Sequence, residues 1–269
     1  MQYKLVAIDL DDTLLSDDLR ISPQTIEAIR EAVKRGVIVT LATGRMYQSA
    51  VQFAEEIGLD VPIITYQGAY VKNIFSKEVV YERRMPLESS ITLINRLRAS
   101  GKTFQIYLND ELYAEKYNQK VQKYCTVTKV NYHVVEDLIE TITTQNVTPL
   151  KILVIDEPDE IKKMLKEYNE LYNGEINITI SKPTFLEFSH LEATKGQAIK
   201  HMAMQNGIAM EEVIAIGDSY NDRDMIELAG LGVCMENGNP DIQAIADYIT
   251  KTNNDHGVYE VLQRFVLNR

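Results

Sequence analysis

Leu5-Val6-Ala7-Ile8, followed by Asp9-Leu10-Asp11-Asp12-Thr13, is the stretch that decides the fold. Four apolar residues in a row read as a strand buried on both faces, as in a parallel sheet covered by helices on each side. Three carboxylates then fall where that strand has to end. Charge gathered at the end of a buried strand is costly unless something uses it. A cation would relieve the repulsion, and Mg²⁺ commonly joins one or two carboxylates to a phosphate. Taken without the rest of the chain, the same residues also fit a polar turn, because Asp is common in turns.

Outward from this stretch the pattern alternates. Ser22 and Pro23 suit the cap and first residue of a helix that ends at Gly36. Residues 37–42 form an apolar strand ending at Thr43-Gly44-Arg45, a helix follows over about 46–57, and Pro62-Ile63-Ile64-Thr65 is a third strand. This βαβαβ order predicts a parallel sheet with right-handed crossovers. The rhythm then changes. Residues 71–72 with 78–82, and 103–108 with 112–115, read as hairpins, the second around Asn109-Asp110. Helices over about 87–100 and 159–172 and strands at 150–155, 177–181 and 185–188 complete an α+β region. Alternation returns at Thr194-Lys195-Gly196, which opens a helix to about 206. Strand 213–216 ends at Gly217-Asp218-Ser219-Tyr220-Asn221-Asp222. A helix at 223–229, strand 232–235, a helix near 240–246, strand 248–250 and a last helix follow. The expected fold is α/β: a doubly wound Rossmann-like parallel sheet core, residues 1–83 and 190–269, with an inserted α+β cap at 84–189.

Composition bounds the function. The net charge of −11, with no long Lys/Arg run, argues against a nucleic-acid or anionic-membrane partner. No apolar run approaches the roughly 20 residues of a membrane span, and Tyr3-Lys4-Leu5-Val6 has no signal-peptide pattern, so the expectation is a cytoplasmic protein. Cys125 and Cys234 are far apart and read as buried free thiols. The four histidines show no metal-ligand spacing, and His190 is read as structural rather than chemical.

In an open α/β sheet, ligands bind beyond the carboxyl ends of the strands. Asp9 to Thr13, Thr43-Gly44, Lys195 and Asp218 to Asp222 all fall at strand ends or helix starts, and their chemistry is mutually consistent. A carboxylate can attack phosphorus and form an aspartyl-phosphate. The negative phosphate would repel it, so a lysine and a divalent cation are needed beside it. A hydroxyl and helix N-terminal N–H groups near Thr43 can hold phosphate oxygens. A second carboxylate, two residues on, can move the proton.

On these residues the chain resembles a haloacid dehalogenase-superfamily phosphatase of the Cof/YidA-like sugar-phosphatase family. Asp9-Leu10-Asp11-Asp12-Thr13-Leu14 is similar to the first motif of that family and Thr43-Gly44-Arg45 to the second. Lys195 stands in the third and Gly217 to Asp222 in the fourth, with the insertion where the family carries its cap. Asn254-Asp255-His256-Gly257-Val258 also resembles the end of Cof-type chains. The resemblance implies Asp9 as nucleophile and Asp11 as general acid/base. It implies Asp9, the Asp11 carbonyl and Asp218 as Mg²⁺ ligands, and Leu10, Thr43, Gly44, Lys195 and Asn221 as phosphate- or substrate-binding. Asp222 would support the metal or orient Lys195. The implied partner is a small phosphorylated metabolite, selected by a cap that closes, and a monomer is favoured because the cap has to move.

Two positions depart from the family pattern. Asp12 stands where Gly is common, and Asp tolerates the left-handed backbone that a Gly would supply. Gln67-Gly68-Ala69 replaces the commoner Asn-Gly-Ala in a loop at the end of the third strand, a change expected to touch none of the catalytic assignments. Arg45 either contacts substrate or pairs with a nearby acid, and Tyr66, Tyr70, Tyr107 and Tyr113 either line a sugar pocket or pack in the core. A phosphomutase on the same core, a signalling receiver and a non-catalytic phospho-ligand-binding regulator are the rival readings. The receiver would need neither Asp11 nor an inserted domain.

Overall fold

The four residues of β1 (Leu5–Ile8) are fully buried, as their unbroken apolar run predicts. The structure, a computed structural model, describes residues 3–128, 130 and 132–268. After β1 come α1 (Pro23–Lys34), β2 (Ile38–Leu41), α2 (Tyr47–Ile57), β3 (Pro62–Thr65), β4 (Tyr70–Asn73) and β5 (Val79–Glu82). The Ser22 hydroxyl accepts from the Thr25 N–H and caps α1, and Gly58 ends α2 at φ 83°. Next are α3 (Leu87–Ala99), β6 (Phe104–Leu108), β7 (Glu111–Ala114), α4 (Gln119–Thr128), β8 (Tyr132–Val134) and α5 (Leu138–Thr144). β9 (Lys151–Ile155), α6 (Pro158–Tyr172), β10 (Ile176–Lys182) and β11 (Phe185–His190) complete the middle of the chain. α7 (Lys195–Gln205), β12 (Val213–Gly217), α8 (Arg223–Leu228), β13 (Leu231–Met235), α9 (Pro240–Gln243), β14 (Tyr248–Thr250) and α10 (Gly257–Val261) follow.

The chain divides into two compact units, Met1–Tyr81 with Thr194–Arg269, and Glu82–Ala193. In the first, five strands pair in the order β14-β13-β12-β1-β2, all parallel. Leu5 lies between Val213 of β12 and Ile38 of β2. Strand order therefore reverses beside β1, and the loops leaving β1 and β12 flank that point, where ligands of such sheets sit.

β3 does not continue this sheet as the βαβαβ reading predicts. It meets the β2 end at a single parallel bridge, Ala42 with Ile64, and otherwise pairs antiparallel with β4. Tyr66, Gln67 and Gly68 all take positive φ (54°, 58° and 101°), which turns the chain straight back along β3.

The second unit holds a six-stranded sheet, β10-β11-β9-β6-β7-β8, antiparallel except for the β7–β8 pair. Alternation sorts its residues. Ile106, Ile152, Val154, Leu186 and Phe188 point into a core closed by Leu93 and Leu97 of α3, Leu138 and Ile142 of α5, and Ile161, Met164 and Tyr168 of α6. Residues on the other face include Lys151 and Glu187, a buried ion pair at 3.2 Å. Tyr66, Tyr70 and Tyr107 are buried, and Tyr66 and Tyr70 pack edge to face, so core packing accounts for them. Tyr113 stacks on His133.

Both cysteines are free and buried, as expected, and burial pushes Cys125 up to about 11 and Cys234 up to about 12. The His190 Nδ1 accepts from the Glu192 N–H, a structural bond. Among the described residues no helix is long and apolar enough to cross a membrane.

Leu93 is fully buried in the second unit's core. Leu93→Ala is expected to cost about 2–5 kcal/mol of stability, lost transfer energy plus an unfilled cavity. A denaturant titration followed by far-UV circular dichroism measures it.

Candidate active site

Asp9 leaves β1 in extended conformation and its N–H donates to Ile216 of β12 at 2.9 Å. The turn that follows is closed by Leu14 N–H to the Asp9 carbonyl (3.2 Å) and Leu15 N–H to the Leu10 carbonyl (2.9 Å). Asp12 takes φ 58° in it, the left-handed position that Asp was expected to tolerate. Thr43 follows β2; its N–H donates to Ile64 and its hydroxyl accepts from the Arg45 N–H at 3.1 Å. Thr194 caps α7 by accepting from the Gln197 N–H, so Lys195 is the first helical residue. Gly68 lets this helix start close by: a Cβ there would stand 2.1 Å from the Thr194 oxygen and 2.9 Å from the Lys195 nitrogen.

Lys195 is fully buried. Its Nζ lies 2.5 Å from Asp9 Oδ1 and 2.6 Å from Asp222 Oδ1. The other Asp222 oxygen accepts the N–H groups of Asp218 and Ser219, both at 3.0 Å. Both Asp222 oxygens are therefore engaged, one by the Lys195 ammonium and the other by backbone N–H groups. Asp218 Oδ1 accepts from the Thr13 hydroxyl at 3.1 Å. Asp9, Asp218 and Asp222 each offer an oxygen within 4.8 Å of the others. Since both Asp222 oxygens are engaged by Lys195 and backbone N–H groups, Asp9 and Asp218 are the better placed to take a cation.

The Asp11 carboxylate is gripped through both oxygens by Arg45, Nε to Oδ2 at 2.9 Å and Nη2 to Oδ1 at 2.7 Å. This resolves Arg45 toward an acid partner. Gln67 stands beside the site: Asn221 Nδ2 donates to Gln67 Oε1 at 2.9 Å, and a Cβ at Gly44 would meet Gln67 Nε2 at 2.4 Å. The replacement leaves Asp9 and Asp11 untouched by these contacts but reaches two residues expected to bind phosphate or substrate. Sequence reading missed it because the Gln67–Asn221 bond joins residues 154 positions apart.

Burial pushes the Asp9 carboxyl well above its usual range. Lys195 opposes this, and Asp222 and Asp218 add to it. Asp218 is pushed up to about 7, by burial first and then by Asp222, against Lys195 and the Thr13 hydroxyl. Burial alone would lower Lys195, but Asp222 and Asp9 outweigh it and hold its ammonium above the usual value. Three carboxylates thus gather near one ammonium, and in the two raised acids the bonds to Lys195 and to the Thr13 hydroxyl each use Oδ1. A divalent cation supplies the missing positive charge and meets hard oxygen donors, so the residues fit one.

The sign of the pH effect follows. Without a cation, Asp218 holds its proton in the folded state from about its ordinary 3.8 up to about 7, whereas the unfolded chain has lost it. Stability in EDTA therefore falls as pH rises through that window. Asp218→Asn removes the buried charge, so in EDTA it is expected to raise the thermal midpoint more at pH 8 than at pH 5. A gain equal at both pH values contradicts this account.

Comparisons with known proteins agree with this geometry. The family model described as haloacid dehalogenase-like hydrolase matches residues 6–262. A relative from Streptococcus pyogenes serotype M6 is 34% identical over 273 residues, spanning all of both chains. The 5-amino-6-(5-phospho-D-ribitylamino)uracil phosphatase YcsE of Bacillus subtilis is 34% identical over 268 residues, covering 99% of this chain and 97% of its own. The solved structure of BT4131, a sugar phosphatase of haloacid dehalogenase subclass IIB, superposes with a TM-score of 0.83 at 25% identity, covering 97% of this chain and 98% of that one. The chain belongs to the haloacid dehalogenase-like hydrolases, and within them it is a Cof-like phosphatase, a hydrolase of phosphoric monoesters.

Proposed function

We propose that the protein hydrolyses small phosphate monoesters, sugar phosphates among them, in an Mg²⁺-dependent reaction through an aspartyl-phosphate on Asp9. The observation that carries this reading is the Asp9 carboxylate at the end of β1, held 2.5 Å from the buried Lys195 ammonium. An Asp9 oxygen attacks phosphorus and the ester P–O bond breaks. The departing alkoxide takes a proton from Asp11. Water then attacks the phosphoryl group and returns a proton to Asp11. The bond to Asp9 breaks, and inorganic phosphate leaves.

Lys195 steadies the nucleophile and offsets phosphate charge. Thr43, whose oxygen already accepts from the Arg45 N–H, has its own O–H to donate to a phosphate oxygen, and Leu10 and Gly44 offer backbone N–H groups. Asn221 binds phosphate from the Gln67 side. To move a proton, Asp11 has to leave the Arg45 fork. Mg²⁺, held by Asp9, Asp218 and the Asp11 carbonyl, would neutralise charge between nucleophile and phosphate. Residues 84–189 serve as the substrate-selecting cap, and the enzyme works as a cytoplasmic monomer. The substrate class draws support from two relatives: BT4131 is named for sugar phosphates and YcsE for a phosphorylated ribityl chain, both phosphate esters of polyhydroxylated carbon chains.

Phosphate release from a panel of sugar phosphates, nucleotides and cofactor phosphates tests this reading. Turnover is expected with Mg²⁺ and is expected to be lost in EDTA. Asp9→Asn is expected to lower kcat by about 10³-fold or more, the scale of removing a covalent nucleophile. Undiminished turnover in Asp9→Asn would remove the covalent mechanism. Lys195→Ala is expected to lower kcat/KM by roughly 10²–10³-fold, as for loss of one preorganised charge-stabilising group.

A further inference from the structure

The loop after β13 and the segment before α10 have no part in the chemistry above, yet they bond to both loops that carry the acidic group. Asn237 Nδ2 donates to the Asp12 carbonyl at 2.8 Å, and Asn237 Oδ1 accepts from the Asn253 N–H at 3.0 Å. A carbonyl can only accept and a backbone N–H can only donate, so the orientation of this amide is settled by its partners. Two residues on, the Asn239 N–H donates to the Asp218 carbonyl at 2.7 Å. Between them Gly238 is pressed in: a Cβ there would stand 2.7 Å from Cys234 Sγ and 2.9 Å from the Asp218 oxygen. Asn253, in turn, donates through Nδ2 to the Leu15 carbonyl at 3.0 Å and to Asp17 Oδ1 at 3.2 Å. The Asp17 N–H donates to Asn254 Oδ1.

One short strap thus ties the Asp12 carbonyl to the Asp218 carbonyl, and with them the turn after Asp9 to the loop that carries Asp218. The tie on the first side falls on the residue next to Asp11, in the left-handed conformation at φ 58°. An L-residue holds that conformation at a cost, and only when its surroundings fix it. We propose that Asn237, backed by Asn253, is a positioning residue that sets divalent-cation affinity by fixing the distance between the Asp9–Leu15 turn and Asp218. This rests on the cation reading above. Mg²⁺ demands near-ideal octahedral geometry at 2.0–2.1 Å, so small displacements of its ligands weaken it. Groups that orient metal ligands typically account for 10–100-fold in affinity.

The alternative is that the strap only stabilises the fold, and the two roles separate experimentally. Asn237 is exposed, and losing its bonds is expected to lower the thermal midpoint by about a few degrees for a chain of this size. Mg²⁺ added to EDTA-treated, dialysed protein raises the midpoint according to its affinity. Asn237→Ala is expected to require about 10–100-fold more Mg²⁺ for the same rise. Its deficit in kcat/KM is expected to shrink as Mg²⁺ is raised. Asn253→Ala is expected to shift the Mg²⁺ requirement in the same direction, which guards against a misfolded first variant. If wild type responds to Mg²⁺ and both variants respond at the same concentration, the strap is structural only and this inference falls alone. If wild type itself shows no Mg²⁺ response, the cation reading falls and takes the inference with it.

Discussion

Everything in the first unit answers to one buried ammonium. Lys195 has no solvent exposure, and stripping water from an ammonium costs on the order of several kcal/mol even after the protein relaxes. Asp9 and Asp222 offset that cost only by holding their oxygens at 2.5 and 2.6 Å. The demand passes outward. Asp222 keeps its place because two backbone N–H groups hold its second oxygen, and Gly217 gives it room, since a Cβ there would lie 2.5 Å from the Asp222 side chain. The start of α7 keeps its place through the Thr194 cap, the absent side chain at Gly68, and the Asp224 carboxylate, which accepts the Gly196 N–H. Three loops from distant parts of the chain are fixed by one electrostatic requirement.

That requirement separates the residues that hold charge from those that spend it. Lys195 and Asp222 satisfy each other. Asp9 and Asp218 are left with raised proton affinities, which is where the site is unbalanced and ready for something positive. The second unit offers a contrast in Lys151 and Glu187, a buried pair at 3.2 Å on one sheet face that, among the described residues, belongs to no cluster of three acidic groups. Burial of an ion pair alone does not mark a reactive site. The surplus carboxylate does.

Much of this was legible because it is local. Apolar runs gave β1, β2 and β12 within a residue or two, and Ser22-Pro23 and Thr194 gave the starts of α1 and α7. Between residues 116 and 149 the sequence carries little periodic signal. Among the described side chains of α4, Val121 and Cys125 are the buried ones, one turn apart, too few for a period, and β8 is three residues long. α5 had a readable start, since Asp137 and Glu140 have capping-box spacing and the Asp137 carboxylate does accept the Ile139 and Glu140 N–H groups. β3 stands where its apolar run predicts, but it leaves the parallel sheet because an apolar strand does not say which neighbour it will pair with. Its partner was decided by three positive φ angles in the next turn. At the site, residue types announced the chemistry, but Gln67, Asn237 and Asn253 did not, because each acts through a side-chain bond to a residue far away in the chain.

The strand order carries a consequence for how the chain is made. β1 has β2 on one side, synthesised soon after it, and β12 on the other, synthesised only after the whole second unit. Until then β1 has an open edge, and Asp9 has neither Lys195 nor Asp222 beside it. Domains tend to fold as units while a chain emerges, and unpaired strand edges are sticky. The middle unit, which is contiguous, can complete its own sheet while the first waits. Its length is therefore a delay written into the gene: each residue inserted there prolongs the interval in which an apolar strand stands half-paired on the ribosome.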